Sequence, residues 1–267
     1  MIRKVAFVIL LLSIILAGRA AHRRRGAAKI LLWIVTVLLF LVLLALPFTI
    51  IYRAGDTAKA VLPDTEVKLG SGMRAWVFDG PGENAALVFY PGAMVDAASY
   101  TPLMARIAEG GADCFLIEMP LHFALLGVNA ADRIMETYDY ACWILAGHSL
   151  GGVAASSYAH AHTDAVAGVV LLASYPTVEL ENMPFLSIYG NRDAVLNREA
   201  YEERRALWPE GAEELVIPGG NHAQFGDYGP QRGDGEAAIT KDEQQMQTAD
   251  AILHWIKTHI SKEGMAA

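Results

Sequence analysis

Ser149 lies between glycines in GHSLGG (147–152), directly after the apolar run WILA (143–146). A serine hydroxyl is a weak nucleophile at neutral pH and attacks a carbonyl only when a neighbouring base takes its proton. The strand, sharp turn and small-residue helix expected around Gly147, Ser149 and Gly151 form the context of a nucleophile elbow. An ordinary serine in a glycine-rich turn is the plainer alternative, so the reading depends on partners. On such a scaffold an acid and then a histidine should follow, each on a loop beyond a later strand. FLSIYGNRDAVL places Asp193 just past one strand, and ELVIPGGNHAQFGDYG places His222 just past the next. Alone, Asp193 would read as a turn or cap residue and His222 as a loop histidine. Together, in that order and at the same strand ends, they read as the acid and base for Ser149. Asp227 and Asp234, in the loop after His222, are the alternative acids.

Acyl transfer also needs donors for the oxyanion that forms on the carbonyl oxygen. The backbone N–H of Leu150, next after the nucleophile, is one. The second should come from the loop after an earlier strand. LVFYPGAMVDAASY supplies that loop, with the Ala93 N–H as first choice and Met94 next. The other histidines lack such a setting. His148 fills the variable position of the elbow, His160 and His162 end a helix, His254 and His259 lie on a closing helix, and His122 follows a strand without an evident partner.

The elements that must hold these groups alternate along the chain. RAWVF and AALVFY read as strands separated by the turn DGPGEN. CFLIEM, WILAG, AVAGVVLLA, FLSIYG and ELVIPG read as further strands, most of them apolar throughout. Between them, residues 99–111, 129–138, 150–162 and 198–208 read as helices, and 248–260 as a closing helix. Buried strands alternating with helices predict an α/β fold with a mostly parallel sheet covered on both faces. Only about ten residues separate the strands LLA and FLSIYG, which leaves no room for an inserted lid domain.

These features resemble the alpha/beta-hydrolase superfamily, and more narrowly its membrane-anchored bacterial members of the fold-5 type. The resemblance rests on FYPGAMVD (89–96), GHSLGG (147–152), SIYGNRDAVLN (187–197) and GGNHAQFGDYGPQRGDG (219–235), and runs from about residue 50 to the C-terminus. It implies a Ser149–Asp193–His222 triad. Members of the family often carry a second glycine where this chain has Ala93, a difference that leaves a backbone donor in place.

Charge and hydropathy divide the chain unevenly. Residues 1–53 hold eight Lys or Arg and no acidic residue, leaving 13 basic against 29 acidic residues in 54–267. A body this acidic argues against nucleic acid as a charge-driven partner. Residues 30–52, ILLWIVTVLLFLVLLALPFTIIY, are 23 uncharged residues, a helix of roughly 34 Å against a hydrocarbon core of about 30 Å. A shorter apolar run at 5–17 could be a second span (4–18), the first arm of a hairpin, or a cleaved leader. Arg23, Arg24 and Arg25 lie between the two runs. The positive-inside bias places that cluster in the cytoplasm and the chain after Tyr52 across the membrane. Cys114 and Cys142 each begin a strand and read as buried thiols, with no metal-ligand spacing.

The resulting expectation is a membrane anchor over 1–53, a linker over 54–63 and a catalytic domain over 64–267. That domain would be a serine hydrolase of small or amphiphilic carboxylic esters on the extracytoplasmic side of the cell membrane, using no metal or organic cofactor. An acyltransferase with the same triad, and a non-catalytic binding protein on the same fold, are the alternatives.

Overall fold

The computed structural model describes residues 26–45, 51–70, 72–82 and 84–260, together with Ile15 and Arg19. The chain forms two compact units, one up to Ile51 and one from Tyr52 onward. In the first, helix α1 (Ala27–Ala45) exposes Ile30, Leu31, Trp33, Ile34, Val37, Leu38, Phe40 and Leu41. Its one buried hydroxyl, Thr36, donates to the Leu32 carbonyl 2.8 Å away, which removes an unmet donor from an apolar surface. Among the described residues no helix is long and apolar enough to cross a membrane. The expected span 30–52 is described as helix only to Ala45, and residues 46–50, like nearly all of the possible span 4–18 and the Arg23–Arg25 cluster, lie outside the described residues.

The second unit begins at Tyr52, which is a departure from the expected span. Its N–H donates to the Met94 carbonyl (2.8 Å) and its carbonyl accepts from the Asp96 N–H (2.9 Å). Residues 54–63, expected to link, contain helix α2 (Asp56–Ala60). Ala58 is fully buried there, and its N–H donates to the Asp227 carboxylate (3.1 Å).

The rest is an eight-stranded sheet with helices on both faces. In chain order come β1 (Glu66–Gly70), β2 (Met73–Phe78), β3 (Ala85–Tyr90), α3 (Thr101–Glu109), β4 (Asp113–Glu118), α4 (Ala130–Thr137) and β5 (Cys142–His148). They are followed by α5 (Leu150–Ala161), β6 (Gly168–Leu172), β7 (Phe185–Gly190), α6 (Arg198–Arg204), β8 (Glu213–Ile217) and α7 (Lys241–Trp255). The spatial order is β1-β2-β4-β3-β5-β6-β7-β8. β2 is antiparallel to β1 and β4, and every pair from β4 to β8 is parallel. The turn at 79–84 therefore joins β2 to β3 without pairing them, because β4 inserts between. All six residues of β3 are buried. A strand apolar on both sides belongs at the centre of a parallel sheet, not in a half-exposed hairpin.

Alternation along β3 divides the core. Leu87 and Phe89 enter one apolar layer with Leu103, Met104 and Trp255, while Ala86, Val88 and Tyr90 enter the other with Ala154, Ala155 and Tyr158. The Cys114 and Cys142 thiols are both buried, on strands that flank β3. Neighbouring strands lie about 4.8 Å apart, so strands two apart are beyond disulfide reach. From β3 the chain moves outward to β4, then returns to the other side of β3 as β5. That reversal makes the carboxyl ends of β3 and β5 the topological switch point, where sheets of this kind hold ligands.

Candidate active site

Four of the expected residues lie in loops at this end of the sheet, and the fifth, Leu150, opens α5. Ser149 follows the last residue of β5 and precedes the first of α5, with φ 53° and ψ −124°. A non-glycine residue in that region carries roughly 1–3 kcal/mol of strain and persists only where its surroundings impose it. Those surroundings are visible at Gly151, where a Cβ would collide with the Tyr90 and Pro91 carbonyl oxygens. The backbone of α5 can lie against the end of β3 only because that side chain is missing. Ser149 itself is held by its N–H to the Leu172 carbonyl (2.9 Å), and the Ser174 hydroxyl donates to the Ser149 carbonyl (2.6 Å).

Asp193 and His222 are brought together. His222 Nδ1 lies 2.8 Å from Asp193 Oδ2, and their side chains are 2% and 0% exposed. The other carboxylate oxygen, Oδ1, accepts the N–H groups of Val195 and Leu196 at 2.8 Å each. A carboxylate can only accept, so in the neutral ring the proton is on Nδ1 and the lone pair on Nε2. His222 Nε2 is buried and makes no hydrogen bond. Ser149 and His222 line one cleft of about 200 Å³, with Leu150, Val153, Ser174, Tyr175, Val195 and Leu196.

The two carboxylates considered as alternatives to Asp193 act elsewhere. Asp227 pairs with Lys241 and caps α2 through Ala58. Asp234 accepts four backbone N–H groups: Ala194 and His222 at 3.3 Å, and Ala223 and Gly235 at 2.8 Å. It thereby ties the loop bearing the acid to the loop bearing the histidine, a role that spacing alone does not disclose.

The expected oxyanion donors also meet at the switch point. Tyr90 pairs in register with Gly147, so the loops carrying Ala93 and Leu150 leave adjacent strand ends. Leu150 opens α5, and the first N–H of a helix has no partner within it. The Met94 N–H is already given to the His122 carbonyl (2.7 Å), which removes the second choice and leaves the Ala93 N–H as the expectation for this loop. The loop is pinned from both sides, by His122 and by Tyr52.

His148, set aside in the sequence, is fully buried with its ring centroid 4.5 Å from that of His222. Burial pushes its pKa well below the ordinary value, and the nearby His222 lowers it further, against the effect of the His222 backbone carbonyl. His148 is therefore a neutral imidazole beside His222. Its Nδ1 lies 2.8 Å from the Tyr100 hydroxyl. No signal short of the folded structure points to Tyr100, which is one of several tyrosines in helical or strand-like sequence.

Residues 86–246, more than half of the chain, match the model of the alpha/beta hydrolase family. The chain belongs to that family. Solved alpha/beta hydrolases resemble it in fold at low identity. A dienelactone hydrolase from Anabaena variabilis is 17% identical, with 73% of this chain and 96% of that chain covered and a TM-score of 0.55. The esterase Est1E from Butyrivibrio proteoclasticus is 13% identical over 72% of this chain and 98% of that one, at a TM-score of 0.55. A soluble variant of the monoglyceride lipase of Saccharomyces cerevisiae, solved with a substrate analogue, is 11% identical over 74% and 96%, at 0.57. No curated protein matches this hydrolase.

Proposed function

We propose that this hydrolase is a serine esterase that cleaves carboxylic esters through an acyl-enzyme on Ser149. The observation that carries the reading is the buried Asp193–His222 pair, with an unengaged Nε2, lining the same cleft as a serine on a strained elbow. Ser149 Oγ attacks the ester carbonyl carbon while His222 Nε2 takes its proton. The carbonyl oxygen becomes an oxyanion facing the N–H groups of Ala93 and Leu150. Collapse expels the alkoxide, which leaves as alcohol with the proton from His222. Water then attacks the acyl carbon while giving a proton to the same nitrogen, and collapse breaks the bond to Ser149 Oγ, which takes that proton back as the acid leaves. Asp193 accepts from Nδ1 throughout, orienting the ring and stabilising the imidazolium.

The cleft is small for a whole drug-sized ligand, since such sites run to roughly 300–1,000 Å³. It suits a short acyl group, or the reacting end of a larger ester whose remainder lies outside. The connection from β6 to β7, residues 173–184, contains no helix or strand, which favours open access. Anchoring to a membrane through the N-terminal unit, with the hydrolase unit on the extracytoplasmic side, belongs to the same proposal. It is supported by the exposed apolar surface of α1 and by the arginine cluster before it. A phosphatase reporter fused after Ala267 should be active and a reporter after Arg25 silent; the reverse pattern refutes the orientation.

The test of the chemistry is turnover of a panel of chromogenic esters by the full chain and by Ser149→Ala. Hydrolysis by the parent and none by a folded variant supports the reading. Undiminished turnover by the variant overturns it.

A further inference from the structure

One hydroxyl touches both loops of the oxyanion site. Tyr100 is fully buried, and its Oη accepts the Gly92 N–H at 3.1 Å while lying 2.8 Å from His148 Nδ1. Gly92 immediately precedes Ala93, and His148 is two residues before Leu150. Because the oxygen already accepts from Gly92, its own proton is available for His148 Nδ1. That arrangement satisfies one donor and one acceptor that would otherwise be buried without partners. The ring of Tyr100 is fixed against Phe89 of β3, with centroids 4.9 Å apart, and against Tyr228 at 6.5 Å. The backbone before it is set by the Asp96 carboxylate, which accepts the Ala98 N–H at 3.2 Å. Gly92 is required by the same contact, since a Cβ there would come within 2.9 Å of His148 Nδ1 and 3.0 Å of Tyr100 Oη.

We infer that Tyr100 is a positioning residue for the oxyanion site, its hydroxyl holding the Ala93 loop and the Ser149 elbow at the separation the two N–H donors need. The inference rests on the reading of Ser149 as nucleophile. Donors fixed before the charge develops stabilise it without rearranging, and a displacement of about 1 Å can lower the rate by about a hundredfold. Tyr100 does not touch substrate. It acts through Gly92 and His148, and a neutral His148 beside His222 adds no opposing charge when His222 takes up its proton.

The test compares Tyr100→Phe with the parent full chain on one chromogenic ester, reading kcat and KM separately, the rate of fluorophosphonate labelling and the melting temperature. Tyr100→Phe keeps the ring and removes only the bridge. The expected result is a fall in kcat of about ten- to a hundredfold, a matching fall in labelling rate, and a KM within about threefold. Gly92→Ala pushes on the same contact from the other side and should give the same pattern. A folded Tyr100→Phe with kcat within twofold of the parent, or with only KM raised, overturns the inference. If Tyr100→Phe does not fold, full kcat in Gly92→Ala overturns it. Ser149→Ala is run alongside. Activity in that variant refutes the nucleophile itself, whereas an inert Ser149→Ala beside an unaffected Tyr100→Phe refutes only the positioning role.

Discussion

Replacing Asp193 by Asn separates the hydrogen bonding of this side chain from its chemistry. Asp193 Oδ1 accepts two backbone N–H groups and Oδ2 faces His222 Nδ1. In the Asn variant the amide oxygen stays on the two N–H donors. Turning the amide round would forfeit both bonds and set the NH2 group against two N–H groups, costing at least about 2 kcal/mol. The NH2 group is thus presented to His222 Nδ1, which must then be the acceptor. The imidazole proton moves to Nε2, the nitrogen that should take the proton of Ser149. With the base in the wrong tautomer, kcat should fall by about 10⁴, equivalent to roughly 5.5 kcal/mol of transition-state stabilisation. Both backbone bonds survive, so the melting temperature should change by only a few degrees. The assay is kcat on a chromogenic ester with the enzyme concentration set by active-site titration. A loss of less than tenfold, or a larger loss in Asp234→Asn than in Asp193→Asn, would refute the assignment of the acid.

Gly151→Ala should prevent stable folding or shift the denaturation midpoint by several kcal/mol, because its Cβ meets the Tyr90 and Pro91 carbonyls and neither is a side chain that can rotate away; a variant as stable as the parent contradicts the elbow packing. A chain beginning at residue 64 loses the Tyr52 bonds to the Met94–Asp96 loop and the buried Ala58, and should be roughly 2–4 kcal/mol less stable to urea than one beginning at residue 51. Equal midpoints would show that residues 52–63 contribute nothing. Stability should also fall on acidification through His148, whose folded-state pKa is depressed by burial. Below about pH 6.5 the unfolded chain binds a proton there that the folded chain refuses, so stability present at higher pH is lost by up to about 1.4 kcal/mol per pH unit. Urea midpoints between pH 7 and pH 5 should fall more steeply in the parent than in His148→Asn, and parallel lines would contradict this.

Much of the candidate site was legible because each of its parts leaves a local trace. Gly147 and Gly151 flank Ser149 since the turn has no room for side chains, and Asp193 and His222 each stand a few residues past an apolar strand. The convergence of loops leaves no such trace. Tyr100 bridges Gly92 to His148, and Asp234 gathers N–H groups from residues 194, 222, 223 and 235, through contacts that exist only once the sheet has ordered β3 beside β5 and β7 beside β8. Tyr52 ends the uncharged run 30–52 and also makes two backbone bonds to the Met94–Asp96 loop, which composition does not disclose. Polarity misled at the closing helix, which starts at Lys241 and not at Thr248. Thr240 and Glu243 form a capping box there, and Gln244, Gln245 and Thr248 are buried as hydrogen-bonding residues. The spacing of threonine and glutamate was a readable start signal, outweighed by the lack of apolar residues after it.

The central claim is that Ser149 is the nucleophile, and the most direct measurement is the site of covalent modification by a fluorophosphonate. The full chain is labelled, digested and sequenced by mass spectrometry, with Ser149→Ala treated in parallel. A single phosphonyl adduct on Ser149, absent from the variant, is the expected result. An adduct on another residue, or equal labelling of Ser149→Ala, would contradict the account.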